Sequence, residues 1–441
     1  MNHVHSIEDI PLNSFHRLLA LRSGGGSFVD GYILSIIGVV MMQMSTALTL
    51  SSFWEGMIAA SALIGIFFGG FMGGWFTDFF GRRRVFFVGP IVFTVASIAQ
   101  LWADSATTIF TLRLLIGVAV GIEYPVATAL LVEFLPKKHR GQKLATLTVL
   151  WFAGAACAYV IGEIILRSGA PDAWQWVIAS SAIFGTALFL LRLGTPESPR
   201  WLLTKGRRSE AEITIKKVFG ESFSLTSLPE QDDTSKLPLS ALLHSGYGKR
   251  LFFVLVFWTC SIIPIFAVYA FAPKVLLALK LTGDLSAIGS ISITAFFMIG
   301  CLLASKAINV LDRRKILIYG FLFSGLALVG LGAFDSHGGI IILVFFSLFA
   351  LFIGGAQALC FVYPNEIFPT EVRSVAVGIA TSLSRVGAAA GTYLVPMSLA
   401  GIGVANTMFA AAAITFFGLL VSWWLAPETR SLSLQEAAAL R

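Results

Sequence analysis

Five ionisable side chains stand inside apolar stretches of this 441-residue chain: Asp30, Arg113, Glu123, Glu163 and Arg385. A charge in such surroundings is costly and needs a partner or a task. An acid there can bind and release a proton as its surroundings change, and a guanidinium can hold a carboxylate. Asp30 sits in Phe28-Val29-Asp30-Gly31-Tyr32. Glu123, in Gly121-Ile122-Glu123-Tyr124-Pro125, follows Arg113 by about three helical turns. It is either a second titrating group or ligand contact, or a satisfied buried acid. Glu163, near the end of its apolar run, suits a hydrated structural role. Arg385, in Ser382-Leu383-Ser384-Arg385, would hold an organic carboxylate or neutralise a neighbouring acid. Trp151, Trp258, Tyr269 and Gln357 are candidates to line a cavity beside these charges, core or lipid-facing packing being the alternative.

Other chemistries lack their residues. There is no GxxxxGK[ST] phosphate loop, no HExxH and no GxSxG elbow, so ATP-driven pumping and hydrolysis have no support, and no metal or cofactor is expected. Cys157, Cys260, Cys301 and Cys360 lie in apolar runs without CxxC spacing and read as small buried hydrophobes.

The elements that position these groups follow from composition. Hydrophobic residues make up 56% of the chain and charged residues 12%, against roughly 25% charged in a soluble domain. A globule in water could not cover itself so sparsely. The net charge of +7 would raise the question of nucleic acid, but the basic residues fall in short loops between apolar runs, which excludes that reading. Runs long enough to cross a bilayer centre at 28–48, 55–77, 85–103, 107–133, 143–166 and 173–193, then at 251–273, 286–308, 316–334, 340–364, 374–399 and 403–425.

Loops 2–3, 4–5 and 8–9 are rich in Lys and Arg, and the gap at 195–250 holds nine. Loops 1–2, 3–4, 9–10 and 11–12 hold none, while loop 5–6 has Arg167 and loop 7–8 has Lys274 and Lys280. This asymmetry places both termini and the central gap in the cytoplasm. The expected organisation is a cytoplasmic segment 1–27, a six-helix bundle 28–194, a cytoplasmic linker 195–250, a second bundle 251–426 and a tail 427–441. The N-terminus has no apolar h-region and is not a secretory signal. Ser14–Arg22 is expected as a short amphipathic helix on the membrane surface, and Arg207–Gly220 as a cytoplasmic helix with Ala211, Ile215 and Val218 on its packed face.

The two halves repeat one another. Asp78-Phe-Phe-Gly81-Arg82-Arg83 matches Asn309-Val-Leu-Asp312-Arg313-Arg314; Glu133-Phe-Leu-Pro136 with Arg140 matches Glu366-Ile-Phe-Pro369 with Arg373; Pro196-Glu197-Ser198 matches Pro427-Glu428-Thr429. Such duplication is typical of transporters that rock one half against the other around a central site. The chain resembles the major facilitator superfamily along its whole length, nearest to its sugar-porter and metabolite:proton symporter branches. Gly74-Trp-Phe-Thr-Asp78-Phe-Phe-Gly81-Arg82-Arg83-Arg84 is similar to that superfamily's loop 2–3 signature, and Arg113 with Gly117 and Gly121 to its span-4 pattern. Pro196-Glu197-Ser198-Pro199-Arg200-Trp201-Leu202 and Pro427-Glu428-Thr429-Arg430 resemble the sugar-porter signatures.

The resemblance implies an all-α membrane protein of 12 transmembrane helices in two pseudo-symmetric six-helix bundles. It implies secondary active transport of a small polar metabolite, an organic anion or sugar-like solute, by alternating access with proton symport. Efflux, uniport or a non-transporting nutrient sensor are the alternatives, and the enzyme reading is poor. Asp30 and Arg113 match positions that work together in related proton-coupled porters, Arg113 favouring the ionised acid while burial opposes it; a static structural pair is the alternative. Asp78, Glu133, Glu197, Glu366 and Glu428, beside Arg82, Arg83, Arg140, Arg200, Arg313, Arg373 and Arg430, are implied to form inter-helix ion pairs holding the cytoplasmic side closed; ordinary positive-inside anchoring with incidental acids is the alternative. In the second loop signature Asn309 replaces the acid and Asp312 the glycine. Asp312 is expected to take the left-handed backbone that glycine supplies at Gly81. The expected partners are the solute, a proton and membrane lipid; the expected state is a monomer in a bacterial inner membrane.

Overall fold

The computed structural model describes residues 7, 10–228, 247–308, 310–335, 339–360, 362–368 and 370–429. The N-terminal half comprises α1 (Ser14–Ala47), α2 (Ser52–Phe80), α3 (Arg82–Ala99), α4 (Ala106–Phe134), α5 (Lys137–Leu166), α6 (Ala173–Ala179) and α7 (Ser181–Arg192). Two short helices, α8 (Pro199–Thr204) and α9 (Arg208–Phe219), precede the second half. That half comprises α10 (Gly248–Ala278), α11 (Asp284–Ala307), α12 (Arg313–Ala333), α13 (Gly339–Gln357), α14 (Val362–Ile367), α15 (Thr370–Gly401) and α16 (Gly403–Leu425). Eleven helical segments among the described residues are long and apolar enough to cross a membrane, α6 and α7 together forming one of them. The 32-residue α15 completes twelve. Large apolar side chains such as Phe71, Trp75, Ile183, Ile340 and Trp424 point outward, a surface only lipid can cover.

Local sequence sets the helix starts. Asn13 caps α1 by accepting from the His16 amide at 2.9 Å, while His16 Nδ1 accepts from the Asn13 amide at 3.1 Å. Ser105 caps α4 in the same way through Thr108 at 3.3 Å. The cap at Asn13 corrects the expectation of a separate surface helix. Ser14–Arg22 forms the first turns of α1, with His16, Leu19 and Arg22 buried against the bundle. Arg22 donates to the carbonyls of Leu191 and Leu193, which ties that end of α1 to α7. In α9, Ala211, Ile215 and Val218 form the buried face.

Within the first half, α2 and α4 approach at backbone contact. A Cβ on Gly69 would collide with the carbonyl of Val118, and one on Gly117 with that of Ala62. Glycine therefore serves here as a spacer of minimal width. Between halves, α2 packs on α15, α1 on α10 and α5 on α11.

The repeat in the sequence is a repeat in space. Arg82 of α3 pairs with Glu133 of α4 at 3.3 Å, and Arg313 of α12 pairs with Glu366 of α14 at 2.8 Å. Glu197 accepts from the Arg83 amide at 3.1 Å, and Glu428 from the Arg314 amide at 3.0 Å. In both halves a carboxylate thus caps the positive end of a helix dipole. The loop turns differ. Gly81 has φ of 98°, whereas Asp312 has φ of −65° and ψ of 130°. The expected left-handed Asp312 is therefore wrong. The amides of Val310 and Leu311 both bond to the Ala307 carbonyl, so the reversal is made before Asp312, which enters α12 extended and pairs with Lys315 at 2.8 Å.

Candidate functional site

The charged groups that the sequence sets in the membrane fall into two arrangements. Glu123 of α4 is held by Arg192 at the end of α7, with side chains 2% and 0% exposed. The guanidinium reaches both carboxylate oxygens, one at 2.9 Å, donates to the Phe86 carbonyl at 2.5 Å, and lies 3.6 Å over the Phe86 ring. Gly26 and Gly89 flank the carboxylate, where a side chain would displace it. Of the readings left open for Glu123, the geometry here is that of a satisfied buried acid. Sequence reasoning missed Arg192. It closes an apolar run, the usual place for an anchoring cation, and only the fold turns it inward.

Asp30 has no such partner. It is 1% exposed and its Oδ1 makes no hydrogen bond. The charges that act on it are those of Glu123 and Arg192. Asp30 and Arg113 form no ion pair. Arg113, equally buried, donates from Nη2 to the Ile33 carbonyl at 3.3 Å, while its Nε and Nη1 lack acceptors. Asp30 belongs to α1 itself, and Arg113 meets that helix at the Ile33 carbonyl and beside Leu34 and Ile37. Asp30 is fixed by close helix contact, since Gly31 rests against the Trp151 carbonyl and Gly154 against that of Phe28.

Both halves line one narrow cavity, with room for about one water. Leu34, Leu63 and Arg113 come from the first half; Phe266, Tyr269 and Thr392 come from the second. Arg385 reaches this region from α15 with its guanidinium 5.4 Å over the Phe266 ring, and its Nε has no acceptor. Trp151 packs edge-on against Phe266 and Tyr269, ring centres 5.8 and 5.5 Å away. Trp258, 1% exposed, lies in the core of the second half. Gln357 is engaged within that half, donating to Ser261 Oγ at 2.8 Å and accepting from Cys360 Sγ at 3.4 Å.

The halves close on one another at the end that carries the α1–α2 loop. Lys274 of α10 pairs there with Glu55 of α2, which also accepts from Ser45 at 2.6 Å. Arg167 after α5 pairs with Asp284 of α11 at 2.9 Å. Pro273 lacks the amide that would bond the Tyr269 carbonyl, and the hydroxyl of Tyr159 supplies that bond at 2.8 Å from the other half. Sequence reasoning passed over Glu55. Lys274 was legible as one of the few cations on a side otherwise free of them.

At the opposite end, the expected ion pairs are present in part, and they stay within a half. Arg82 bridges Asp78 at 3.0 Å and Glu133 at 3.3 Å. Glu197 and Glu428 bind backbone amides. Trp201 Nε1 donates to the Asp78 carbonyl at 2.9 Å, which docks the Arg200-Trp201 helix under α2. These contacts brace α3, α4 and the chain after α7 into one body; they do not bridge the two halves. Asn309 and Arg430, and the side chains of Arg140 and Arg373, lie outside the described residues.

The sequence profile of the family described as "Sugar (and other) transporter" matches residues 22–440. The chain belongs to this family. It is 37% identical to the inner membrane metabolite transport protein YgcS of Escherichia coli K12, covering 98% of this chain and 96% of that one. It is 25% identical to the arabinose-proton symporter of Bacillus subtilis 168, over 96% and 94% of the two chains. The partially occluded, inward-open structure of the xylose transporter XylE from E. coli superposes with a TM-score of 0.82 at 21% identity, over 96% of this chain and all of that one. The fold is that of the major facilitator superfamily, with twelve membrane helices in two halves. As a member of this transporter family the chain carries solute and is not an enzyme.

Proposed function

We propose that this family member is a proton-coupled symporter of a small polar metabolite, working as a monomer in a bacterial inner membrane with both termini in the cytoplasm. The observation that carries the reading is Asp30: a carboxyl group buried between helices, its Oδ1 unbonded, next to the seam where the halves meet. A carboxyl in a dry, unpaired setting favours its neutral form, and hydration favours ionisation. Opening the seam to one side or the other therefore loads and unloads a proton. Glu123 is excused from that task by Arg192. The proton symporter among the relatives supports the same coupling.

With the termini in the cytoplasm, the closed end faces outward. Glu55–Lys274 and Arg167–Asp284 then form the outer door. The Asp78–Arg82–Glu133 and Arg313–Glu366 clusters stiffen each half, so that the halves rock as bodies about the α1–α10 and α2–α15 contacts. Lipid covers the outward apolar faces. Uptake into proteoliposomes under an imposed proton gradient tests the assignment. Asp30→Asn should abolish uphill accumulation while sparing exchange down a gradient. Accumulation at the wild-type level in that variant would assign the proton to another group.

A further inference from the structure

Among the described residues, the central site carries more positive charge than its acids can balance. Asp30, Arg113, Glu123, Arg192 and Arg385 are all buried within the bundle. Glu123 and Arg192 cancel one another. Two guanidiniums remain for one carboxylate, and neither touches it. A buried cation without a counter-ion is strongly unfavourable, so the site is built for an anion that arrives from outside.

Apart from Asp30 Oδ1, the unsatisfied hydrogen-bonding atoms around the cavity agree. Arg113 Nε and Nη1, Arg385 Nε and Trp151 Nε1 are donors only, and Tyr269 and Thr392 contribute hydroxyls that can donate. The nearby amide able to offer a neutral polyol both a donor and an acceptor, Gln357, is committed to Ser261 and Cys360. A donor-rich pocket with apolar walls matches an acceptor-rich ligand. From these two observations, and resting on the symporter reading above, we infer that the substrate is a small hydroxylated carboxylate, with Arg113 and Arg385 as its cationic ligands and the hydroxyls of Tyr269 and Thr392 meeting its hydroxyl groups.

This assignment links binding to the proton. With Asp30 ionised, the empty site carries one net positive charge. When Asp30 takes a proton, the substrate carboxylate supplies that negative charge instead. The site then has the same net charge empty and loaded, and a proton and a monoanion cross together with no net charge moved. A neutral sugar carried with a proton would move one positive charge per cycle.

The test uses the full-length protein in proteoliposomes and in detergent. The probes are sodium D-gluconate, sodium D-glucuronate and sodium L-lactate, set against neutral D-glucose and D-xylose. At least one carboxylate should raise the melting temperature and accumulate under a pH gradient. Its rate should be insensitive to a potassium–valinomycin potential. Arg385→Gln and Arg113→Gln should each weaken its binding on the order of ten- to a hundredfold, the loss of a charge-assisted contact. Arg385→Lys should retain part of it. The ligand-free melting temperature of Arg385→Gln should hold or rise, since an unpaired buried charge is removed, and this separates loss of binding from misfolding. Accumulation of a neutral sugar with no carboxylate bound would overturn the anion assignment and leave proton symport standing. Failure of every carboxylate to bind, or binding unchanged in both glutamine variants, would also overturn it. Binding of a carboxylate without any flux would keep the anion site and sink the symporter.

Discussion

The Glu123–Arg192 pair allows a quantitative test of how this bundle is held. Both side chains are almost wholly buried. Two unit charges about 4 Å apart at an effective dielectric near 20 attract by roughly 4 kcal/mol. Removing one member of a buried pair typically costs about 3–5 kcal/mol, because the other is left uncompensated. The two single variants should differ. In Glu123→Met the guanidinium keeps the Phe86 carbonyl at 2.5 Å and the Phe86 ring beneath it, so the loss belongs at the low end of that range. In Arg192→Met the carboxylate loses the donor that reaches both its oxygens, and the loss belongs at the high end. The double variant replaces the ions by apolar groups and should recover most of the stability. Chemical unfolding in detergent, followed by intrinsic fluorescence, measures all four proteins. Losses that simply add in the double variant would refute the pairing. The double variant should also accumulate solute against its gradient. If it folds normally yet cannot do so, Glu123 and not Asp30 is the coupling group.

Two further outcomes follow from contacts elsewhere in the fold. A Cβ on Gly38 would collide with the Tyr269 carbonyl, the group that Tyr159 also reaches across the seam. Gly38→Leu should therefore penalise only the outwardly closed state, by about 1–3 kcal/mol, a population shift of roughly 5–150-fold. Transport should fall, and a cysteine at Leu63, on a background lacking the four native cysteines, should label faster from outside; an unchanged transport rate counts against the contact. At the other end, burial raises the Glu197 carboxyl above its ordinary range, and amide bonds from Ser198, Arg83 and Arg82 with the Arg82 charge oppose this only in part. Between the unfolded value near 4.3 and that raised folded value the native state holds more protons than the unfolded chain. The contribution of Glu197 to stability is thus most favourable below about 4.3 and declines as pH rises through the folded value. Glu197→Gln should flatten that part of the stability–pH curve, and an unaltered slope would assign it to another acid.

The sequence by itself determined the architecture, since twelve long apolar runs leave a chain no option but to span a bilayer as helices. It also determined the duplication, because the paired motifs at Arg82, Glu133 and Glu197 recur at Arg313, Glu366 and Glu428 and make the same bonds in both halves. Helix starts at Asn13 and Ser105 were local matters of one side chain and one amide. Tertiary structure alone decided which charges meet. The family resemblance implied that Asp30 and Arg113 work together, yet whether they touch depends on helix rotation, which periodicity leaves free. Arg192 looked like an end anchor and became the partner of Glu123, since a residue at a helix terminus can face the headgroups or the core with no change in its neighbours along the chain. The outer ion pair of Glu55 with Lys274 belongs to the same class. Each depends on where a second segment, far away in sequence, comes to rest, and that is set by packing, not by pattern.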